Sequence, residues 1–238
     1  PSGLMVSYSS SNPTVATVSG NAVTIVGAGS TTITASQAGN STYCPANNLS
    51  QTLIVNKATL TASPTNASRT YGVANPTFGV TYTGFVNGDN AGVIDTQPTA
   101  TSTATALSNV GTYPITLTGG SDNNYTITNQ AGSLSVTKKS LTATAVNASK
   151  YVGQPNPPFS INYTGFVNGE NSSVLDVKPV ATTTATTSSP LGTYPITVSG
   201  GTDNNYAYTY VNGVLTVSPV PTCSFYISST GDLCTEGR

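Results

Sequence analysis

The sequence predicts an all-β protein made of tandem β-sandwich modules in an elongated array. Three observations carry that expectation. Strand formers (Thr, Val, Ile, Tyr) recur in short alternating runs, and 23 Gly and 15 Pro punctuate them. The heptad Tyr-Thr-Gly-Phe-Val-Asn-Gly stands at 82–88 and again, letter for letter, at 163–169. The shift that superposes the two heptads also aligns Leu60-Thr61-Ala62 with Leu141-Thr142-Ala143, and Gly111-Thr112-Tyr113-Pro114-Ile115-Thr116 with Gly192-Thr193-Tyr194-Pro195-Ile196-Thr197. It likewise aligns Asp122-Asn123-Asn124-Tyr125 with Asp203-Asn204-Asn205-Tyr206. No gap is needed, so this is a tandem duplication of a unit long enough to hold its own small core.

Four segments follow in order. Residues 1–56 alternate apolar and small polar side chains, with a hairpin signal in Val18–Gly27 and Gly20-Asn21 at its turn. This is a third β unit, short for a complete sandwich. Residues 57–138 and 139–219 are the duplicated units, each expected to hold five to seven short strands. In "YPITLTG", "LSVT" and "LTVS" the period of two buries one face and wets the other. The heptad reads as a strand end and the bend beyond it. A short helical turn is expected near 87–95, capped by Asn87 or Asp89. Pro76 and Pro98 are expected at strand starts or edges, because proline has no N–H to give a central ladder. Lys57 and Lys138/Lys139 mark the joints, with linkers of almost no length. Residues 220–238 fit neither unit and form a tail.

Composition narrows the function. With 7 Lys+Arg, 8 Asp+Glu and a net charge of −1, there is no basic footprint for phosphates and no polybasic patch for an anionic membrane. No apolar stretch approaches the roughly 20 residues of a membrane helix. The chain opens at Pro1 with no signal peptide in view, as expected of a piece of a longer protein. It contains no His, which removes imidazole-based triads and general bases, and no Trp.

Several motifs point to a family. "SSSNPTVATVSGNAVTIVGAGSTTITASQAGN" carries Ser-x-Asn-Pro-x-Val-Ala-x-Val followed by Gly-x-Gly-x-x-x-Ile-Thr-Ala. It resembles the bacterial immunoglobulin-like repeats of group 2 type. The duplicated units carry "YGVANPTF", "YTGFVNGDN", "PTATSTAT", "VGTYPITLTGG", "DNNYTI" and "GSLSVTK", and resemble the MBG family. Such domains build long secreted or surface-anchored proteins of Bacteroidetes type, so the resemblance implies an array of immunoglobulin-like β-sandwiches in an extracellular or cell-surface stalk, adhesin or spacer, with a first domain that lacks one or two N-terminal strands. It supplies no catalytic residue and no cofactor.

The residues offer their own candidates. The carboxylate pairs Asp89/Asp95 and Glu170/Asp176 are the kind a glycosidase uses. They recur at the same place in sister units, which favours a structural capping role, and the chain is not expected to be an enzyme. Asp122, Asn124, Asp203 and Asn205 offer hard oxygen ligands to calcium without EF-hand spacing; the competing reading is an Asx-rich turn. No Cys/His cluster suits zinc. Tyr206, Tyr208 and Tyr210 alternate and share one strand face, which is a sugar- or partner-binding stripe if exposed and core if not. In the tail, Cys223, Phe225 and Ile227 form one apolar face. That strand either completes the first segment of another copy, building a head-to-tail filament, or residues 220–238 begin a further domain or fold back locally through Cys223–Cys234. Cys223 and Cys234 are spaced for a disulfide if the protein is exported, leaving Cys44 over.

Two functions remain open at this point. One is a structural or adhesive segment of a secreted or cell-surface bacterial repeat protein, a stalk or a filament subunit that pairs with itself or with neighbouring domains. The other is an accessory module of a secreted enzyme that binds glycans or proteins through the tyrosine face.

Overall fold

A computed structural model describes residues 3–222 and, beyond them, the backbone of two short strands, Phe225–Ile227 and Leu233–Thr235. Among the described residues all regular structure is strand, apart from two single-turn 3₁₀ helices.

The first segment holds β1 (Ser7–Ser10), β2 (Ala16–Ser19), β3 (Ala22–Ile25), β4 (Gly29–Gln37) and β5 (Ala46–Val55). Strands β1, β4 and β5 form one antiparallel sheet, and β2 and β3 form a separate hairpin. Gly20 sits at the hairpin turn with φ 61° while Asn21 keeps a negative φ, the type II′ pattern that matches the strand twist. This segment has little interior. Val15, Ala16 and Thr31 are buried, whereas Leu49 and Ile54 on β5 are 75% and 68% exposed. Thr31 is satisfied locally: its Oγ1 accepts from the Asn12 N–H at 2.9 Å and pairs with the Ser10 hydroxyl at 2.8 Å.

The first repeat runs through β6 (Ala58–Pro64), β7 (Ala67–Thr70), β8 (Val80–Thr83), β9 (Thr99–Ser102), β10 (Gly111–Thr118), β11 (Tyr125–Asn129) and β12 (Gly132–Thr137). The second runs through β13 (Lys139–Ala145), β14 (Ala148–Tyr151), β15 (Ile161–Thr164), β16 (Val180–Thr183), β17 (Gly192–Ser199), β18 (Tyr206–Val211) and β19 (Gly213–Ser218). Each repeat makes a three-stranded and a four-stranded sheet with the same order: β11-β6-β8 with β7-β12-β10-β9, then β18-β13-β15 with β14-β19-β17-β16. The first and sixth strands of each repeat pair in parallel, which needs the whole intervening chain as a crossover. Seven strands in two facing sheets are the expected β-sandwich.

Alternation puts the core where the sequence placed it. On β17, Ile196 and Val198 are buried while Pro195 and Thr197 face out. Pro195 lies on a strand flanked on both sides, yet its ladder with β16 ends at Ile196, so no donor is missed. Pro98 immediately precedes the edge strand β9, and Pro76 lies in a loop. In the first repeat, Leu60, Ile94 and Tyr125 pack with Tyr82 and Phe85, and Ala104, Ile115 and Leu134 pack with Phe78 and Tyr113. In the second, Ala143, Ala145, Ile196, Val198 and Leu215 pack with Phe159, Ile161 and Tyr163. Each fully buried Leu or Ile contributes about 1.5–3 kcal/mol.

Packing divides the chain into two compact units. The first takes residues up to Ser68 together with Asn75–Ala104 and Thr112–Ser135. The second takes Arg69–Ala74, Thr105–Gly111 and the chain from Val136 onward. The boundary does not follow the repeat boundary, because two loops of the first repeat are built into the second unit. In the tail, Phe225–Ile227 (β20) pairs antiparallel with Leu233–Thr235 (β21), Tyr226 opposite Cys234. Cys223, and with it the expected Cys223–Cys234 disulfide and one position of the apolar tail face, lies outside the described residues. Cys44 is free and exposed.

Candidate functional site

The repeated heptad builds a platform. Val86-Asn87-Gly88-Asp89 is a tight turn closed by the Asp89 N–H on the Val86 carbonyl at 3.0 Å. Asn87 and Gly88 both have positive φ, 56° and 81°, as a type I′ turn requires. Asn is the side chain that best tolerates this region beside Gly. Asn168 and Gly169 repeat it at 58° and 74°. The expected cap residues are therefore corrected. Asn87 belongs to the turn, and the 3₁₀ helix Ala91–Val93 is capped by Asn90, whose side chain accepts from the Gly92 N–H at 2.9 Å. Asn171 caps Ser172–Val174 in the same way. Asp89 instead holds a phenol. The buried Tyr125 hydroxyl accepts from the Val86 N–H at 3.1 Å and donates to Asp89 Oδ2 at 2.6 Å.

The Asp-Asn-Asn-Tyr motif is an Asx turn with a reciprocal partner. Asp122 Oδ1 accepts from the N–H groups of Asn124 and Tyr125 at 2.7 and 2.9 Å. Its Oδ2 accepts from the Asp95 N–H at 3.3 Å, and Asp95 Oδ2 accepts from the Asn123 N–H at 2.9 Å. Asp203 and Asp176 reproduce all four bonds. The calcium candidates Asp122 and Asp203 thus direct their oxygens at backbone donors. Asn124 and Asn205 point elsewhere: Asn124 Oδ1 accepts from the Ala28 N–H at 2.8 Å and Asn205 Oδ1 from the Val110 N–H at 2.9 Å. Among the described residues no group of three or more His, Cys, Asp or Glu is placed to hold a metal. The Asp89/Asp95 and Glu170/Asp176 pairs are likewise engaged in turn and tyrosine contacts.

The tyrosine stripe divides by depth, so it is not one continuous exposed face. Tyr206 is 1% exposed and belongs to the interior. Tyr208 is half-buried against the second core, and only Tyr210, 41% exposed, opens to solvent. The rings of Tyr208 and Tyr210 stack at 6.1 Å, and both hydroxyls are tied to carbonyls, of Val177 at 3.2 Å and Gly200 at 2.5 Å. In the first repeat Asn129 stands at the Tyr210 position and donates to the matching Gly119 carbonyl at 3.1 Å. Tyr and Asn alternate there because either can supply that donor.

Two functional contacts were not foreseen. The joint lysines are clamps as well as linkers: Lys57 Nζ donates to the Asp122 carbonyl at 2.7 Å, and Lys138 Nζ to the Asp203 carbonyl at 2.8 Å. Their matching positions in the duplication were the available signal. In the second unit Glu170 accepts from two phenols, Tyr206 on Oε2 at 2.5 Å and Tyr71 on Oε1 at 2.6 Å.

Burial, and then the Glu170 bond, push the Tyr71 and Tyr206 phenols above their ordinary value of 10.0. Burial, followed by the charge of Asp203, pushes Tyr208 up to about 12. Below pH 10.0 these groups are neutral in both folded and unfolded chains. Above it the unfolded chain releases protons first, so stability is lost as pH rises toward 12. A pH titration is expected to show stability level from neutrality to about 10 and then falling. Tyrosinate absorbance should rise together with loss of the β-sheet circular dichroism signal; full ionisation at pH 10 in a still-folded chain would contradict the burial seen here.

Two surface depressions also recur. One, of about 450 Å³, is lined by Pro76, Phe78, Val80, Pro98 and Ala100; its counterpart, of about 470 Å³, by Phe159, Ile161, Tyr163, Pro179 and Lys178. The first lining carries no titratable side chain, and the second carries Tyr163 and Lys178 without a carboxylate. Among the described residues no helix is long and apolar enough to cross a membrane.

Comparison with known proteins adds two findings. The family model described as "MBG domain (YGX type)" matches residues 59–135 and 141–216. A solved structure, "Crystal structure of Drosophila N-cadherin EC1-4", is similar at 12% identity with a TM-score of 0.21, over 90% of this chain and 67% of that one. No curated protein matches.

Proposed function

The chain belongs to the MBG domain (YGX type) family through both of its repeats, and from that premise we propose that it is a structural or adhesive segment of a secreted or cell-surface bacterial repeat protein. The observation that supports this reading most is where the two repeats direct their acidic side chains. Asp95, Asp122, Asp176 and Asp203 satisfy turn backbone, and Asp89 and Glu170 hold buried phenols. The residue types that would serve a reaction make the same scaffold in both copies. The role of the segment is then to span distance and present surface in the extracellular space, as a stalk or as a filament subunit.

The filament version has its own supporting observation. Strand β5 presents Leu49 and Ile54 to solvent and, among the described residues, has β4 on one side only. An open, apolar edge strand is a template for another strand. In the filament, the tail of one copy, exchanging its β21 partner, would complete the first segment of the next. Sedimentation velocity across a concentration series, for residues 1–238 and for a chain ending at Ser218, tests this. Growth of the full chain alone into long species supports a filament subunit; two monomers at all concentrations support a stalk and remove strand exchange. The glycan-binding alternative rests on Tyr210, and unchanged binding of surface glycans by Tyr210→Ala would remove it.

A further inference from the structure

We propose that the acidic residue closing the Asn-Gly turn selects the segment that docks against it, and that Glu170 is the receptor for the tyrosine of a Tyr-Gly turn. The second unit shows the docked state. Tyr71 is 4% exposed and stands edge-on to Tyr206, ring centroids 5.6 Å apart and planes at 83°. Its hydroxyl and that of Tyr206 take one oxygen each of the same carboxylate. Gly72 follows so close to Val167 that a Cβ there would lie 2.3 Å from Val167 Cγ2. Asn205 completes the seat, accepting from the Val110 N–H and donating through Nδ2 to Asn109 Oδ1 at 3.0 Å.

The first unit separates the general part of this seat from the selective part. Asn124 again accepts a loop N–H, here from Ala28. The acidic residue is Asp89, one methylene shorter, and it holds the Tyr125 phenol of its own repeat. No tyrosine arrives from the preceding segment; Val26, Gly27 and Ala28 are there instead, and a cavity of about 120 Å³ remains beside Asp89. The Asn contact is therefore common to both seats, and the Asp/Glu difference follows what docks. The second repeat carries the consequence forward. At its Tyr71 position stands Val152, 37% exposed, preceded by exposed Tyr151, and Leu191, at the Val110 position, is exposed as well. With no phenol at the Tyr71 position, this surface fits the base of a further β-sandwich of this type that carries Asp rather than Glu.

The inference rests on the repeats acting as docked modules and is indifferent to stalk or filament, so proteolysis tests it separately from sedimentation. Trypsin cleavage after Lys57 and after Lys138 or Lys139 reads each seat within the full chain. Glu170→Asp retracts the carboxylate by about 1.5 Å, keeping Tyr206 as Asp89 keeps Tyr125 and releasing Tyr71. Tyr71→Phe removes the same bond from the other side. Each is expected to speed cleavage after Lys138/Lys139 about tenfold, the loss of one charge-assisted hydrogen bond. The double variant should be no faster than either single one, and cleavage after Lys57 should not change. Additive effects, an equal rise at Lys57, or no change at Lys138/Lys139 would each overturn the proposal. Should Glu170→Asp fail to fold, Tyr71→Phe against the parent chain decides alone, since it deletes one hydroxyl and leaves the sandwich core intact.

Discussion

Replacing Asp203 with alanine is expected to destabilise the second unit by about 3–5 kcal/mol, because three backbone donors lose their acceptor at once and each orphaned N–H costs about 1–3 kcal/mol. Asp203 is buried, and the Asn205, Tyr206 and Asp176 N–H groups bond to it at 2.8, 2.8 and 3.1 Å. The loss is larger than a surface cap would give, because the turn sets where β18 begins and Tyr206 is its first residue. Asp203→Asn keeps one carbonyl oxygen for the Asn205 and Tyr206 donors but faces the Asp176 N–H with the amide NH2, a second donor. Its cost should be smaller, about 1–2 kcal/mol. Urea unfolding followed by circular dichroism and tyrosine fluorescence checks both, there being no Trp to report. A loss below about 1 kcal/mol for Asp203→Ala would mean that water replaces the carboxylate and that the turn is not organised by it. Asp122→Ala should do the same to the first unit.

The second large effect is expected at Gly72. An alanine there meets two penalties. Its φ of 81° costs about 1–2 kcal/mol for any side chain with a Cβ. The added Cβ also falls 2.3, 2.6 and 3.0 Å from three atoms of Val167, so the loop or Val167 must move, at a further cost of about 1–3 kcal/mol. Gly153 is the matched control: it has the same φ of 81° and nothing within 4 Å of its ideal Cβ. Gly72→Ala should therefore lower the midpoint of thermal unfolding clearly more than Gly153→Ala. Adding Val167→Ala should return part of the difference, since it removes the atoms at 2.3 and 3.0 Å and leaves the one at 2.6 Å. Equal effects at the two glycines would show that the close approach to Val167 does not constrain the loop.

Particular residues show how far the sequence could be read. The period of two in "YPITVS" set which side chains of β17 face inward, and Ile196 and Val198 are buried as that period requires. The turn in the heptad was legible because Asn-Gly has few other uses. The cap two residues on was misplaced, since Asn87, Asp89 and Asn90 are alike in local propensity, and it is the distance of Tyr125 that assigns Asp89 to a phenol. The Asp-Asn-Asn motif showed as oxygen-rich, while the sequence left turn and metal ligand both open. The bonds to Asp95, 27 and 28 residues away, make it a turn. Tyr206, Tyr208 and Tyr210 do alternate along β18, yet a strand face runs from core to rim, and depth along it is not a property of alternation.

What this sequence determined by itself is the all-β class, the duplication and the positions of its turns, because those depend on neighbours a few residues apart and on identity between copies. What only the tertiary structure decided is which polar groups meet: Lys57 with the Asp122 carbonyl, Asn205 with Val110, Tyr71 with Glu170. It also decided that the Tyr71–Gly72 turn packs with the second unit rather than its own repeat. The physical reason is that hydrogen bonds between residues 65 to 99 positions apart leave no periodicity in the chain; they arise only when folded surfaces bring donors and acceptors within reach.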